Sequence, residues 1–63
     1  MKPNKMQLQT IQNYLNRNSV KWDGKIGYYS NGEISINVVC DFLNSDLKGE
    51  TYTLLIDEKG EIF

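Results

Sequence analysis

The stretch Glu33-Ile34-Ser35-Ile36-Asn37-Val38-Val39-Cys40-Asp41-Phe42 constrains the fold more than any other part of the chain. Ile34, Ile36, Val38, Cys40 and Phe42 fall on every second position, with Ser35, Asn37 and Asp41 between them. A period of two belongs to a β-strand, whose successive side chains point to opposite faces. This strand therefore has one apolar face that something must cover. Asn31-Gly32 stands just before it, and that dipeptide favours a tight hairpin turn because both residues tolerate positive φ.

The natural cover is a helix. Residues 4 to about 17 carry Leu8, Ile11 and Leu15 at helical spacing, with Tyr14 widening the stripe and Met6 extending it. Gln7, Gln9, Gln12, Asn13 and Asn16 form the polar face in this reading. Asn4 suits the N-cap, Pro3 lies harmlessly outside it, and Arg17 complements the helix dipole at the far end. A helix this short is marginal alone in water, so it must lay its stripe on the Ile34–Phe42 face.

Between helix and strand, Val20-Lys21-Trp22 runs into Asp23-Gly24 and then Lys25 to Tyr29. Asp23-Gly24 fits either a turn or a bulge in one longer strand, and the sequence leaves both open. With a two-residue loop at Asn31-Gly32, Tyr29 opposes Ile34 and Gly27 opposes Ile36. Tyr29 then joins the apolar face, while Ile26 and Tyr28 project to the other. Residues 43–49 are polar and turn-rich, hence a loop. Glu50 to Asp57 is the next strand, with Tyr52, Leu54 and Ile56 on one face and Thr51, Thr53 and Leu55 on the other. Asp57-Glu58-Lys59-Gly60 is a turn, and Glu61-Ile62-Phe63 closes the chain as a short edge strand. The expected fold class is α+β: one N-terminal helix packed on an antiparallel β-meander of 3–5 strands, with residues 1–63 forming a single small domain.

The chemistry is sparse. There is no histidine, and Cys40 is the lone cysteine, so an internal disulfide is excluded and a Cys/His zinc site nearly so. Cys40 falls on the core face with no histidine to activate it. Asp41 alternates outward, and Asp57, Glu58 and Glu61 lack the ligand order of a calcium loop. Gly24, Gly27 and Gly32 have no phosphate-loop or dinucleotide spacing. No catalytic, cofactor-binding or metal residue is assigned, no cofactor is implied, and an enzyme is not expected.

Val20-Lys21-Trp22 followed by Lys25, Gly27, Tyr28 and Tyr29 resembles the first two strands of a cold-shock domain. The likeness covers about ten residues; that family's second glycine and its aromatic-His-aromatic segment have no counterpart here. It implies Trp22, Tyr28 and Tyr29 as base-stacking residues on single-stranded nucleic acid. The charge distribution points elsewhere. Residues 1–32 hold five cations against Asp23, a net of +4, whereas residues 33–63 carry a net of −5. An acidic second half suits a phosphate-binding groove poorly.

The leading expectation is a small non-enzymatic protein-binding module. A face carrying Ile26, Tyr28, Val39 and Leu55 has apolar anchors and no cover, which marks a contact surface. A domain of this size buries only about 60% of the surface its unfolded chain exposes, so a protein partner or a homodimer would supply burial it lacks. Size, acidity and missing catalytic groups suit an inhibitor or accessory protein of the phage or mobile-element kind, acting by surface occlusion through its sheet face or edge. The rival expectation is single-stranded nucleic-acid binding through the sheet aromatics. No apolar run reaches transmembrane length and the N-terminus has no signal-peptide core, so no membrane partner and a cytoplasmic location are expected.

Overall fold

The computed structural model describes residues 2–41, 46 and 48–63. Helix α1 (Lys5–Arg17) precedes strands β1 (Val20–Trp22), β2 (Gly27–Tyr28), β3 (Ile34–Cys40) and β4 (Thr51–Ile56). The fold is α+β: the helix packs against a four-stranded antiparallel sheet. Phe42 and most of the loop expected over 43–49 lie outside the described residues.

β3 is central because it is the longest strand and has the cleanest alternation. β4 lies along one side of it, from Ile34 opposite Ile56 to Val39 opposite Thr51. β1 and β2 share its other side. Val20 faces Cys40 and Trp22 faces Val38, then Gly27 faces Ser35 and Tyr28 faces Ile34. Four residues, 23–26, thus span what Ile36 and Asn37 span in two. Asp23-Gly24 opens a bulge between two halves of one edge. The Asp23 carboxylate accepts the Lys25 amide N–H at 2.9 Å, and Trp22 Nε1 donates to the Lys25 carbonyl at 3.1 Å. These bonds hold the bulge in shape.

The Asn31-Gly32 hairpin differs from expectation by one residue. The Tyr29 N–H bonds to the Glu33 carbonyl at 3.0 Å, and the Gly32 N–H bonds back to the Tyr29 carbonyl at 3.2 Å. The loop is therefore Ser30-Asn31-Gly32, with Gly32 at φ +89. A three-residue loop of this kind places glycine in the left-handed region, where a Cβ is costly. Because strand side chains alternate, one extra loop residue exchanges the faces of everything before it. Tyr28, not Tyr29, opposes Ile34, and Gly27 opposes Ser35 rather than Ile36.

The helix is also rotated relative to the expected stripe. Its inward face is Gln7 and Ile11, with Tyr14 and Leu15 partly buried beside them. Leu8 is 48% exposed and Met6 59% exposed. The cap residue is as expected, but Asn4 works in a reciprocal pair. Its Oδ1 accepts the Gln7 N–H at 2.8 Å while Gln7 Oε1 accepts the Asn4 N–H at 2.9 Å. This capping box holds the Gln7 side chain back over the helix N-terminus.

Ile11, Ile34, Ile36, Val38, Leu54 and Ile56 form the core, with Val20, Trp22 and Ile26 packed against it. All the core strand residues belong to one sheet face, the one the helix covers. The chain finishes at the outer side of β4. The Asp57 N–H bonds to the Glu61 carbonyl at 2.9 Å, Ile62 bridges Ile56, and the Phe63 N–H bonds to the Leu55 carbonyl at 3.1 Å.

Candidate interaction surface

Cross-strand neighbours share a face, so the pairing sorts every strand residue. The side away from the helix carries Lys21 and Gly27, then Ser35, Asn37 and Val39, then Thr51, Thr53 and Leu55. Phe63 joins them through its hydrogen bond to Leu55, which makes the two cross-strand neighbours. The face is built as rows across the strands. One row runs Gly27, Ser35, Leu55, Phe63; the next is Asn37 and Thr53; the last is Lys21, Val39, Thr51.

The rows have different chemistry. Gly27 and Ser35 are small and closely packed: a Cβ on Gly27 would sit 2.6 Å from Ser35 Oγ. Leu55 and Phe63 are bulky, so this row steps upward toward the outer edge. Phe63 is 64% exposed, more than any other large hydrophobic side chain described, and Leu55 is half-buried next to it. In the middle row the Thr53 hydroxyl donates to Asn37 Oδ1 at 2.7 Å. That bond satisfies two polar groups of the face internally. Val39 stands 36% exposed at the far end. Lys21 lies 3.7 Å from Asp41, both well exposed. An ion pair in that setting contributes little.

Of the four anchors expected on this face, Val39 and Leu55 are there. Ile26 and Tyr28 are not, and this corrects the sequence reading. Ile26 sits in the bulge and packs against the core, and Tyr28 is on the helix side because it opposes Ile34. Both displacements follow from the extra residue in the hairpin: strand side chains alternate, so Ile26 and Tyr28, two residues apart, change face together. Phe63 is a further exposed apolar residue of this face that the sequence reading does not place there. Its signal was present: a turn at Asp57–Gly60 folds Glu61–Phe63 back along β4, and strand alternation then sets Phe63 beside Leu55.

The aromatics of the rival reading are dispersed. Trp22 is partly buried against the core with its indole N–H committed to Lys25. Tyr28 is 41% and Tyr29 47% exposed at a recess of about 110 Å³ that they share with Lys2, Gln7, Gly32, Glu33 and Ile34. Trp22 is absent from that recess, so the three rings do not form one platform.

Away from this face, polar contacts tie the helix to the sheet and its turns. Gln7 is buried, and its Nε2 donates to the carbonyls of Gly32 at 2.9 Å and Asp57 at 3.2 Å. One amide thus ties the helix start to the hairpin loop and to the turn after β4. Asn4 Nδ2 adds a bond to the Glu58 carbonyl at 2.8 Å. On the helix side of the sheet, the hydroxyls of Tyr14 and Tyr52 lie 2.6 Å apart. That hydrogen bond, with burial, pushes the Tyr52 phenol up to about 12. An open groove of about 490 Å³ is bordered by Asn31, Glu33, Asp57, Glu58, Lys59 and Glu61, an acidic rim. Among the described residues no three His, Cys, Asp or Glu side chains come together as a metal site. No described helix is long and apolar enough to cross a membrane. No protein family, curated protein or solved structure matches the chain.

Proposed function

We propose that this protein is a small, non-enzymatic protein-binding module that docks through the sheet face opposite its helix. The observation that carries the reading is the Leu55–Phe63 pair, two apolar side chains side by side on a face that no described element covers. Interfaces are anchored by a few aromatic and aliphatic groups surrounded by polar ones that exclude water. Leu55, Phe63 and Val39 fit the first role, and Thr51, Thr53, Asn37 and Ser35 the second. Binding would occlude the partner's own surface. The acidic rim beside the Asp57–Gly60 turn would favour a basic target by charge complementarity. This is the behaviour of inhibitors and accessory proteins of the phage or mobile-element kind, working in the cytoplasm, where a lone free thiol is ordinary.

A photo-crosslinking side chain at position 39 tests the proposal in cells, with one at the exposed helix position 8 as control. The reading expects a discrete heterologous protein adduct from position 39 and none from position 8. Adducts to nucleic acid alone, or equal labelling from both positions, would overturn it.

A further inference from the structure

The two long edges of the sheet are built differently. The β1–β2 edge is interrupted by the bulge and carries Lys21, Asp23 and Lys25. Bulges and charges of this sort are how sheets keep an edge from pairing with another chain. The β4 edge has neither device from Thr51 to Ile56: its sequence is Thr-Tyr-Thr-Leu-Leu-Ile, uncharged and rich in strand-forming residues.

Half of that edge is already paired. The Cys40 N–H bonds to the Glu50 carbonyl at 2.9 Å, so residue 50 points its backbone toward β3. Antiparallel bonding alternates, which turns the backbone groups of Thr51, Thr53 and Leu55 outward. The bond from the Phe63 N–H to the Leu55 carbonyl confirms the alternation from the other end. Leu55 is thus served by the chain's own final residues, whereas no described backbone group pairs with the outer side of Thr51 or Thr53. Both threonines are exposed.

We infer that a second copy of this chain occupies that half-edge, β4 against β4 about a two-fold axis at Tyr52. In that register Thr51 of each copy exchanges backbone bonds with Thr53 of the other. The paired side chains suit the arrangement: threonine faces threonine on the open face, tyrosine faces tyrosine on the helix face, and Glu50 faces Leu54 rather than a like charge. A heterologous strand is not required to complete the pattern, since the edge is complementary to itself. The pairing stops at Glu50–Leu54 for a structural reason. Phe63 blocks it beyond Leu54, and the chain leaves the edge at Gly49, whose N–H turns back to the Cys40 carbonyl at 2.9 Å. So short a seam makes a weak, concentration-dependent dimer. The inference rests on the binding-module reading only in treating the sheet as a docking scaffold, and edge and face fail separately.

Sedimentation equilibrium from about 10 μM to about 1 mM, the range of weak interfaces, tests it. The wild type is expected to rise from 7.3 kDa toward twice that mass. Thr53→Pro removes an outward N–H without touching the β3 ladder, and Thr53→Lys adds a charge at the same seam. Each is expected to weaken dimerisation at least about tenfold while the circular dichroism spectrum is unchanged, and Leu55→Asp is expected to leave the dimer intact. If Thr53→Pro does not fold, Thr53→Lys decides. A wild type that stays at 7.3 kDa throughout overturns the inference and leaves the face to the crosslinking experiment. So does a dimer that survives Thr53→Lys, or one that is lost on Leu55→Asp.

Discussion

The side-chain amide of Gln7 and the backbone carbonyl of Asp57 are hydrogen-bonded at 3.2 Å across fifty residues of chain. The same amide serves the Gly32 carbonyl and the Asn4 N–H. Three separate segments are therefore registered by one buried polar group. Gln7→Ala removes all of these bonds and is expected to cost about 1–3 kcal/mol, the range for leaving buried partners unsatisfied. Leu8→Lys, one residue on, is expected to change stability by no more than about 0.5 kcal/mol because Leu8 faces solvent. Urea unfolding of both variants measures this. Equal losses would contradict the orientation of the helix.

Gly60 makes a second tie between helix and turn. Its φ is +84, and a Cβ there would sit 2.8 Å from the Met6 carbonyl oxygen. Gly24 has a similar φ of +83 but open space around it. The left-handed conformation costs an L-residue roughly 1–2 kcal/mol in either place. Gly60→Ala must pay the clash in addition. It is expected to lower the melting temperature clearly more than Gly24→Ala does.

Tyr52 gives the fold an alkaline limit. Its phenol is raised from 10.0 to about 12, first by the hydrogen bond to Tyr14 and then by burial. A group whose folded pKa lies above its unfolded value stabilises the fold fully below the unfolded value. That contribution is lost as pH climbs from about 10 to about 12. Stability measured by urea titration is expected to decline across this window, and Tyr52→Phe is expected to flatten that part of the decline. An unchanged slope in the variant would assign the alkaline loss to other groups.

The α+β class, the helix with its Asn4 cap, and the strand faces of β3 and β4 are legible in the sequence because period and capping chemistry leave few alternatives. Ile34, Ile36, Val38, Leu54 and Ile56 are core for that reason alone. The open face is only half legible. Asn31-Gly32 permits loops of two or three residues, and Asn31 Oδ1 accepting the Glu33 N–H at 3.1 Å belongs to the longer one. That single residue decides that Tyr28 lies on the helix side. Asp23-Gly24 permits a turn or a bulge, and the structure has the bulge. Gln7 reads as solvent-facing because helical patterning counts polarity and not satisfied hydrogen bonds. The Asn4-to-Gln7 spacing of a capping box is the local signal that marks it out.

The sheet buries one face under the helix and leaves the other open, the face proposed for a partner, and Leu54 and Leu55 are neighbours on opposite sides of it. Leu54 is buried against the helix side, and Leu55 is half-buried beside Phe63. The most direct measurement compares Leu54→Asp with Leu55→Asp for thermal unfolding and for the protein adduct formed by the crosslinker at position 39. Leu54→Asp is expected not to fold, since it buries an unpaired carboxylate. Leu55→Asp is expected to melt cooperatively, like the wild type, but to lose the adduct. A folded Leu55→Asp that keeps the adduct would rule out the open face as the docking surface, and a Leu54→Asp that folds normally would rule out the helix-side core.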